Sequence, residues 1–277
     1  MTALAKSPVV PPSARTELVL VVLGVWLALA AIPLGLGGIG ISWDALNHHV
    51  YLGWTALNPR FDRDWLASSY QAYTWPYLYW PFYKLVELQV SGMWAGVVLV
   101  SLHVLMAPAL WLIARACVPD RSWEAAAMRA GAVLLAFLGQ LVLSLMDTTA
   151  NDLYAASPLV WAVALGVLAC QATPTVAWLT PSRAVALSGV LSGIAIAFKL
   201  SNGPLVLVMP IVWALVPGTW MQRLRHVMSG GAWSVAGFVL AYGWWGWQLW
   251  RYFGNPIFPF GEEWFPLVRE LVGWQQP

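Results

Sequence analysis

Ionisable side chains are scarce in this chain, and those able to do chemistry gather in three places. The first is Ser42 to Tyr83, where Asp44, His48, His49, Asp62, Arg63 and Asp64 lie among five tryptophans and six of the nine tyrosines. Rings that sit at lipid headgroup level, beside carboxylates that need water, describe a membrane surface facing a polar substrate. On a helix over Trp43 to Leu57, Asp44, His48, Tyr51 and Thr55 share one stripe, and Leu46, Val50 and Leu57 share another. Asp44 then caps the helix, or serves as a carboxylate in a cavity, and the two roles are compatible. His48 and His49 are adjacent and point about 100° apart on a helix, which disfavours a shared metal and suits a bond to a tyrosine or a lipid phosphate. Asp62 and Asp64 flank Arg63 in a D-x-D pattern able to hold a divalent cation beside a phosphate. The same three residues also make an ordinary solvated turn, with Asp64 capping a helix over Trp65 to Tyr73, and that reading is favoured over a metal site.

The second place is the turn Asp147 to Asp152, in which Asn151 is the expected N-cap of a helix from Leu153 and Asp152 sits near its positive end. The third is Lys199, which closes an apolar run and is followed by Ser201, Asn202 and Gly203. That lysine either snorkels to water or, with the backbone donors of the following turn, binds an anion such as phosphate. Ser188, Gly189, Ser192 and Gly193 upstream let the same run pack closely against a neighbour.

The elements that must position these residues are membrane helices. The chain is 60% hydrophobic and 9% charged, far from the roughly 25% charged content of soluble domains. A formal charge of +2 gives no reason to expect a nucleic-acid partner. Cys117 and Cys170 have no partner at metal-ligand spacing. The fold expected is an all-α polytopic membrane protein with about seven spans, at 17–39, 92–114, 130–146, 153–170, 184–198, 204–216 and 231–250, in one membrane domain without a cleavable signal peptide. Residues 40–90 form a long aromatic-rich first outer loop with interfacial helices. Residues 251–277 form an outer tail, expected to be loosely packed from Glu262 onward. With the N-terminus in the cytoplasm, eight Lys and Arg face three acids inside, against six facing nine outside, the bias that the positive-inside rule requires. All three chemical places then meet at the outer face.

Five stretches, WDALNHHVYLGW, SYQAYTWPYLYWPFYKL, NDLYAASPLVWAVAL, GIAIAFKLSNGPLVL and WRYFGNPIFPF, in this order, resemble landmarks of bacterial polytopic glycosyltransferases of the GT-C type. The resemblance covers nearly the whole chain from Glu17. It implies residence in the bacterial cytoplasmic membrane and a sugar donor linked to polyprenyl phosphate. Transfer to a glycan or lipid acceptor would occur at the outer face, with inversion. Asp44 matches that family's catalytic base, Asp152 the acidic residue opening the fourth helix, and Lys199 the basic residue closing the fifth. Lys199, with Arg63 and His48, is the expected holder of the donor phosphate. Tyr51, Trp75, Tyr77, Trp80, Asn202 and Asn255 are the expected cavity residues. The resemblance fixes no cofactor beyond the lipid-linked donor, and a divalent metal is an open but less favoured alternative. Because the family continues past the GNPIFPF segment, the chain reads as a shortened member, which leaves room for a membrane partner protein. The same features also suit a transporter or flippase-like protein with the loop as its lid, or a non-catalytic partner of an envelope polysaccharide system.

Overall fold

A computed structural model describes residues 11–64, 67–171 and 178–276. Among these the fold is helical, apart from one short extended segment, β1 (Ala67–Tyr70). Four helical stretches are long and apolar enough to cross a membrane: α1 (Ala14–Leu36), Gly92–Cys117, α8 (Asp152–Ala169) and α9 (Pro181–Phe198). The chain is therefore read as a membrane protein. Gly92–Cys117 consists of α4 (Gly92–His103) and α5 (Ala107–Cys117), joined by a tighter turn at Val104–Met106. Pro108 explains the change of pitch, since it has no N–H to return to the Val104 carbonyl.

The other expected spans are interrupted or displaced. The stretch 130–146 contains the end of α6 (Trp123–Phe137), a break at Leu138 and Gly139, and the single turn α7 (Gln140–Leu143). The stretch 204–216 is divided into α10 (Gly203–Val206) and α11 (Met209–Ala214), because Pro210 cannot donate to Val206. The stretch 231–250 lies inside α12 (Trp220–Phe253), whose 34 residues reach about 50 Å at 1.5 Å per residue. This helix opens on a reciprocal capping box between Thr219 and Gln222 and stops at Gly254, which takes a left-handed conformation with φ 61°.

Named contacts fix the direction of each helix. At one end of the bundle, Glu17 of α1 accepts from the guanidinium of Arg129 in α6 at 2.6 Å and from the indole of Trp111 in α5 at 2.8 Å. Both members of this ion pair are buried, and Arg129 also donates to the carbonyls of Val118 and Asp120, so neither charge of the pair is left alone. Further along, Trp26 donates to Ser101 at 2.9 Å, and Gly96 packs on Pro33, so α1 runs antiparallel to α4 and α5. Along α9, Gly189 and Gly193 abut the carbonyls of Gly230 and Ser234 in α12, and Gly237 abuts the carbonyl of Val190. Residue numbers rise together on this seam, which makes α9 and α12 parallel and brings their C-terminal ends to the same end of the bundle. On its other side α9 meets α8 antiparallel, with the Ser188 hydroxyl donating to the Ala162 carbonyl at 2.7 Å.

Over that end lies the aromatic loop. It folds as a π-helical turn (Ala45–His49) running into α2 (Val50–Thr55), then β1, two single turns, and α3 (Trp80–Glu87). The helix expected over Trp65 to Tyr73 is absent from its described part: Ala67–Tyr70 is extended, and Gln71–Tyr73 is one turn, while Trp65 and Leu66 lie outside the described residues. The Ser68 hydroxyl bonds the Asn47 carbonyl, a competition that disfavours helix. The loop is fastened to the bundle by indole and phenol donors. Trp75 donates to the Ala241 carbonyl, Trp245 to the Tyr73 carbonyl, and Tyr154 to the Leu78 carbonyl, at 3.2, 2.9 and 3.0 Å.

The tail from Glu262 onward buries none of the residues of its helix, yet it is tied to the end of α12. Its helix α13 (Phe265–Leu271) is held when Arg269 donates to the Phe253 carbonyl at 3.0 Å and to Glu262 at 2.6 Å, and Trp274 donates to the Trp250 carbonyl at 3.0 Å.

A Cβ added at Gly193 would lie 1.9 Å from the Ser234 carbonyl oxygen, whereas Gly131 has nothing within 4 Å. Gly193→Ala is therefore expected to destabilise the protein by about 1–3 kcal/mol through overpacking. Gly131→Ala should be neutral or slightly stabilising. Thermal unfolding of the two variants in the same detergent compares them directly.

Candidate functional site

The aromatic loop, the turn before α8, the end of α9 and the segment after α12 enclose a cavity of about 660 Å³. Asp44, His48, Asp152, Lys199 and Trp75 line it. These five, drawn from sequence positions far apart, are brought together.

Asp44 precedes the π-helical turn, and its carboxylate is not spent on a cap. Ser42 accepts from the Ala45 N–H at 3.1 Å and does that work instead. The Asp44 side chain is 55% exposed and stands 3.8 Å from Nδ1 of His48, beyond hydrogen-bond reach. The wider π turn replaces the regular stripe expected of an α-helix, and both His48 and His49 end buried against the cavity with ring centroids 4.4 Å apart. Burial holds His48 below the ordinary imidazole range, partly offset by Asp44. For His49, burial and the neighbouring His48 lower the pKa to about 4. Both shifts favour the neutral ring.

His49 ties the loop to the turn before α8. Its Nδ1 lies 2.5 Å from the Thr149 hydroxyl, and its ring packs on Tyr79 at 4.9 Å. Burial raises the pKa of the Tyr79 hydroxyl, partly offset by the nearby Asn151 side chain. Asn151 holds the N-cap position of α8 but makes no side-chain bond to the helix backbone. A backbone bond from Gly40 N–H to the Asp147 carbonyl, 2.5 Å long, adds a second tie.

Asp152, in the first turn of α8, pairs with Lys199. Lys199 leaves α9 with extended backbone (φ −152°, ψ 112°), which turns its ammonium across the cavity toward α8. The two side chains are 53% and 38% exposed. A pair this open contributes little to stability. What it does is present a fixed cation and a carboxylate at the cavity wall.

The remaining expected residues are placed elsewhere. Arg63 turns to its neighbour Asp62 at 3.5 Å, and Asp64 pairs with Arg60 at 3.1 Å, so both D-x-D carboxylates are engaged outside the cavity wall. Tyr51 donates to Asp64 at 3.3 Å, and burial together with that carboxylate pushes its hydroxyl up to about 12. Tyr77 lies behind Trp75, at 5.2 Å between centroids. Trp80 sits on the exterior beneath the Lys84 ammonium. Asn202 is buried and donates to the carbonyls of Ala155 and Ala195. Asn255, fully buried, accepts from Ile257 N–H at 2.9 Å and donates to the Phe260 carbonyl at 3.0 Å. These two asparagines hold backbone, and through it they set Ser201, Phe258 and Phe260, which do line the cavity. Among the described residues no three His, Cys, Asp or Glu side chains converge as a metal site.

Sequence reasoning missed Tyr70, Gln71 and Thr74 in the polar part of the wall, and Phe258 and Phe260 in the apolar part. The phenylalanines had a signal, since they flank Pro259 in the GNPIFPF stretch. The loop residues had none, because their position depends on β1. Comparison with protein-family models, curated proteins and solved structures finds no match.

The lowered His49 pKa fixes a pH dependence. The folded state favours the neutral ring, so the unfolded chain binds the extra proton between its ordinary pKa near 6.5 and the folded value of about 4. Stability is complete above about pH 6.5 and falls as pH drops toward 4. A shift of this size corresponds to at most about 3 kcal/mol. His49→Gln, which can still bond Thr149, should flatten that part of the stability profile, as measured by unfolding between pH 4 and pH 7.

Proposed function

We propose that the protein is an integral membrane glycosyltransferase of the GT-C type, taking a sugar from a polyprenyl-phosphate donor at the outer face of a bacterial cytoplasmic membrane. One observation carries the reading: Asp44 and the Asp152–Lys199 pair meet in one aromatic-walled cavity at an end of the helical bundle. Its volume, about 660 Å³, is in the range of small-molecule sites.

In this reading the chain crosses the membrane seven times, through α1, α4–α5, α6–α7, α8, α9, α10–α11 and α12. Arg115, Arg121, Arg183, Arg223 and Arg225 lie in short connections or helix ends away from the cavity, which supports an outward-facing cavity and a cytoplasmic N-terminus. The lipid tail of the donor stays in the bilayer while its phosphate meets Lys199.

The chemistry follows from the residues. Asp44 takes the proton of an acceptor hydroxyl, whose oxygen attacks the anomeric carbon from the face opposite the phosphate. The bond between that carbon and the phosphate oxygen breaks, the electron pair leaves with the lipid phosphate, and the configuration at carbon inverts. Lys199 stabilises the charge that the phosphate gains. Asp152 pairs with Lys199, so donor binding would exchange one anion for another at the ammonium. Trp75 stacked on Phe198 at 4.9 Å offers a flat apolar wall suited to the C–H face of a sugar.

Asp44→Asn should retain donor binding and lose turnover by roughly 10²–10⁴-fold, because the amide keeps the shape but cannot accept a proton. Lys199→Ala should weaken donor binding first, and Lys199→Arg should recover part of it. Transfer and binding assays on purified protein with polyprenyl-phosphate sugars read both effects. A fully active Asp44→Asn protein, or movement of the lipid without sugar transfer, would favour a transporter instead.

Orientation is open to a separate check. Cysteines at Asn58 and Glu263 should react with an impermeant thiol reagent applied to intact cells, and the native Cys117 only after permeabilisation. The reverse pattern would place the cavity in the cytoplasm.

A further inference from the structure

The tail helix α13 carries an apolar face that none of the described residues covers. Trp264, Leu267, Val268, Leu271 and Val272 recur at i, i+3, i+4, i+7 and i+8, and they are 70%, 64%, 37%, 76% and 60% exposed. At 100° per residue they span roughly 140° of the helix surface, an amphipathic stripe. Arg269 lies off this stripe and is turned inward to Glu262 and the Phe253 carbonyl, while Glu263 and Glu270 are exposed on the remaining side.

The position of α13 says what covers the stripe. Arg269 and Trp274 bond the carbonyls of Phe253 and Trp250, the last turn of α12. α12 runs beside the apolar helix α9 along the glycine seam, passes the level of Phe198 where α9 ends, and continues to Phe253. Below that turn α12 exposes Leu240, Trp244 and Trp247, at 82%, 62% and 53%, so the surface leading up to α13 is itself lipid-facing. Five uncovered apolar side chains at that height exceed what a protein leaves to water, and the unpaired acids of α13 give no attraction to anionic headgroups.

We propose that α13 lies flat in the membrane interface at the cavity end of the bundle, its apolar stripe in the acyl-chain boundary and its carboxylates in water. The bilayer surface is then level with Phe258 and Phe260, which follow α12 and line the cavity. The mouth of the cavity opens where a lipid-borne phosphate resides. Phe260 meets Tyr70 of the aromatic loop edge-on across this mouth, at 6.3 Å. The inference rests on α12 crossing the membrane and not on sugar transfer, so it stands or falls apart from the catalytic reading.

The full chain, with Cys117 and Cys170 replaced by alanine, is spin-labelled at Leu271→Cys, Leu267→Cys or Glu270→Cys and reconstituted in phosphatidylcholine nanodiscs. Accessibility to oxygen and to a water-soluble nickel chelate is compared. The expected result is severalfold higher oxygen than nickel accessibility at positions 267 and 271, with the opposite order at 270. High nickel accessibility at all three sites would overturn the proposal. Shielding of 267 and 271 from both probes, with dipolar broadening between labels, would assign the face to a second copy of the chain and also overturn it. As a structural control, Leu267→Glu with Leu271→Glu should keep the folded core yet shift the label at 270 no deeper. A variant pair that leaves the oxygen signal of a label at Val268→Cys unchanged would again count against insertion.

Discussion

The glycine seam between α9 and α12 is the constraint on which the rest of the arrangement depends. Without a hydrophobic driving force between helices in lipid, association rests on close packing, and Gly189, Gly193 and Gly237 allow backbone to touch backbone. Because the contact is parallel, both helices deliver their C-terminal ends to one place. Lys199 and the Phe258–Phe260 segment, which are remote in sequence, become walls of one cavity for that reason. The antiparallel contact of α9 with α8 then brings the N-terminal end of α8, and Asp152 with it, to the same end.

The two ends of the bundle solve the problem of polar groups in opposite ways. At the end holding the start of α1, Glu17 and Arg129 are buried and saturated by each other, by Trp111 and by two carbonyls. Removing either partner of such a pair leaves an unpaired buried charge. At the cavity end, Asp44 is free of backbone bonds and half exposed, and the Asp152–Lys199 pair is open to water. That difference in spare bonding capacity, more than the presence of charge, distinguishes a structural ion pair from a candidate site.

The aromatic loop is held by its polar tips. Indole N–H groups of Trp75 and Trp245 and the phenol of Tyr154 span the boundary between loop and bundle, while His49 with Thr149 spans that between the loop and the turn before α8. The rings fill volume and the tips fix register, a combination few other side chains offer. The loop therefore sets the geometry of Asp44 relative to Asp152, although neither residue touches the other's element.

Composition alone determined that this chain lives in a membrane, because its apolar runs leave water no share in the interior, and the small residues of α9 marked a close helix contact. Asp44, Asp152 and Lys199 were legible as well, since ionisable residues at the ends of apolar runs stand out against so little charge. Pitch and partner were not legible. The π turn that brings both histidines to the cavity, the break after Phe137, and the extended Ala67–Tyr70 segment all depend on which carbonyls and hydroxyls lie nearby in space. The roles of Asn202, Asn255, Tyr51 and Arg63 were decided the same way. A polar side chain shows in sequence only that it needs a partner, and the tertiary structure decided whether that partner was the protein's own backbone, a neighbouring charge, or space left for a ligand.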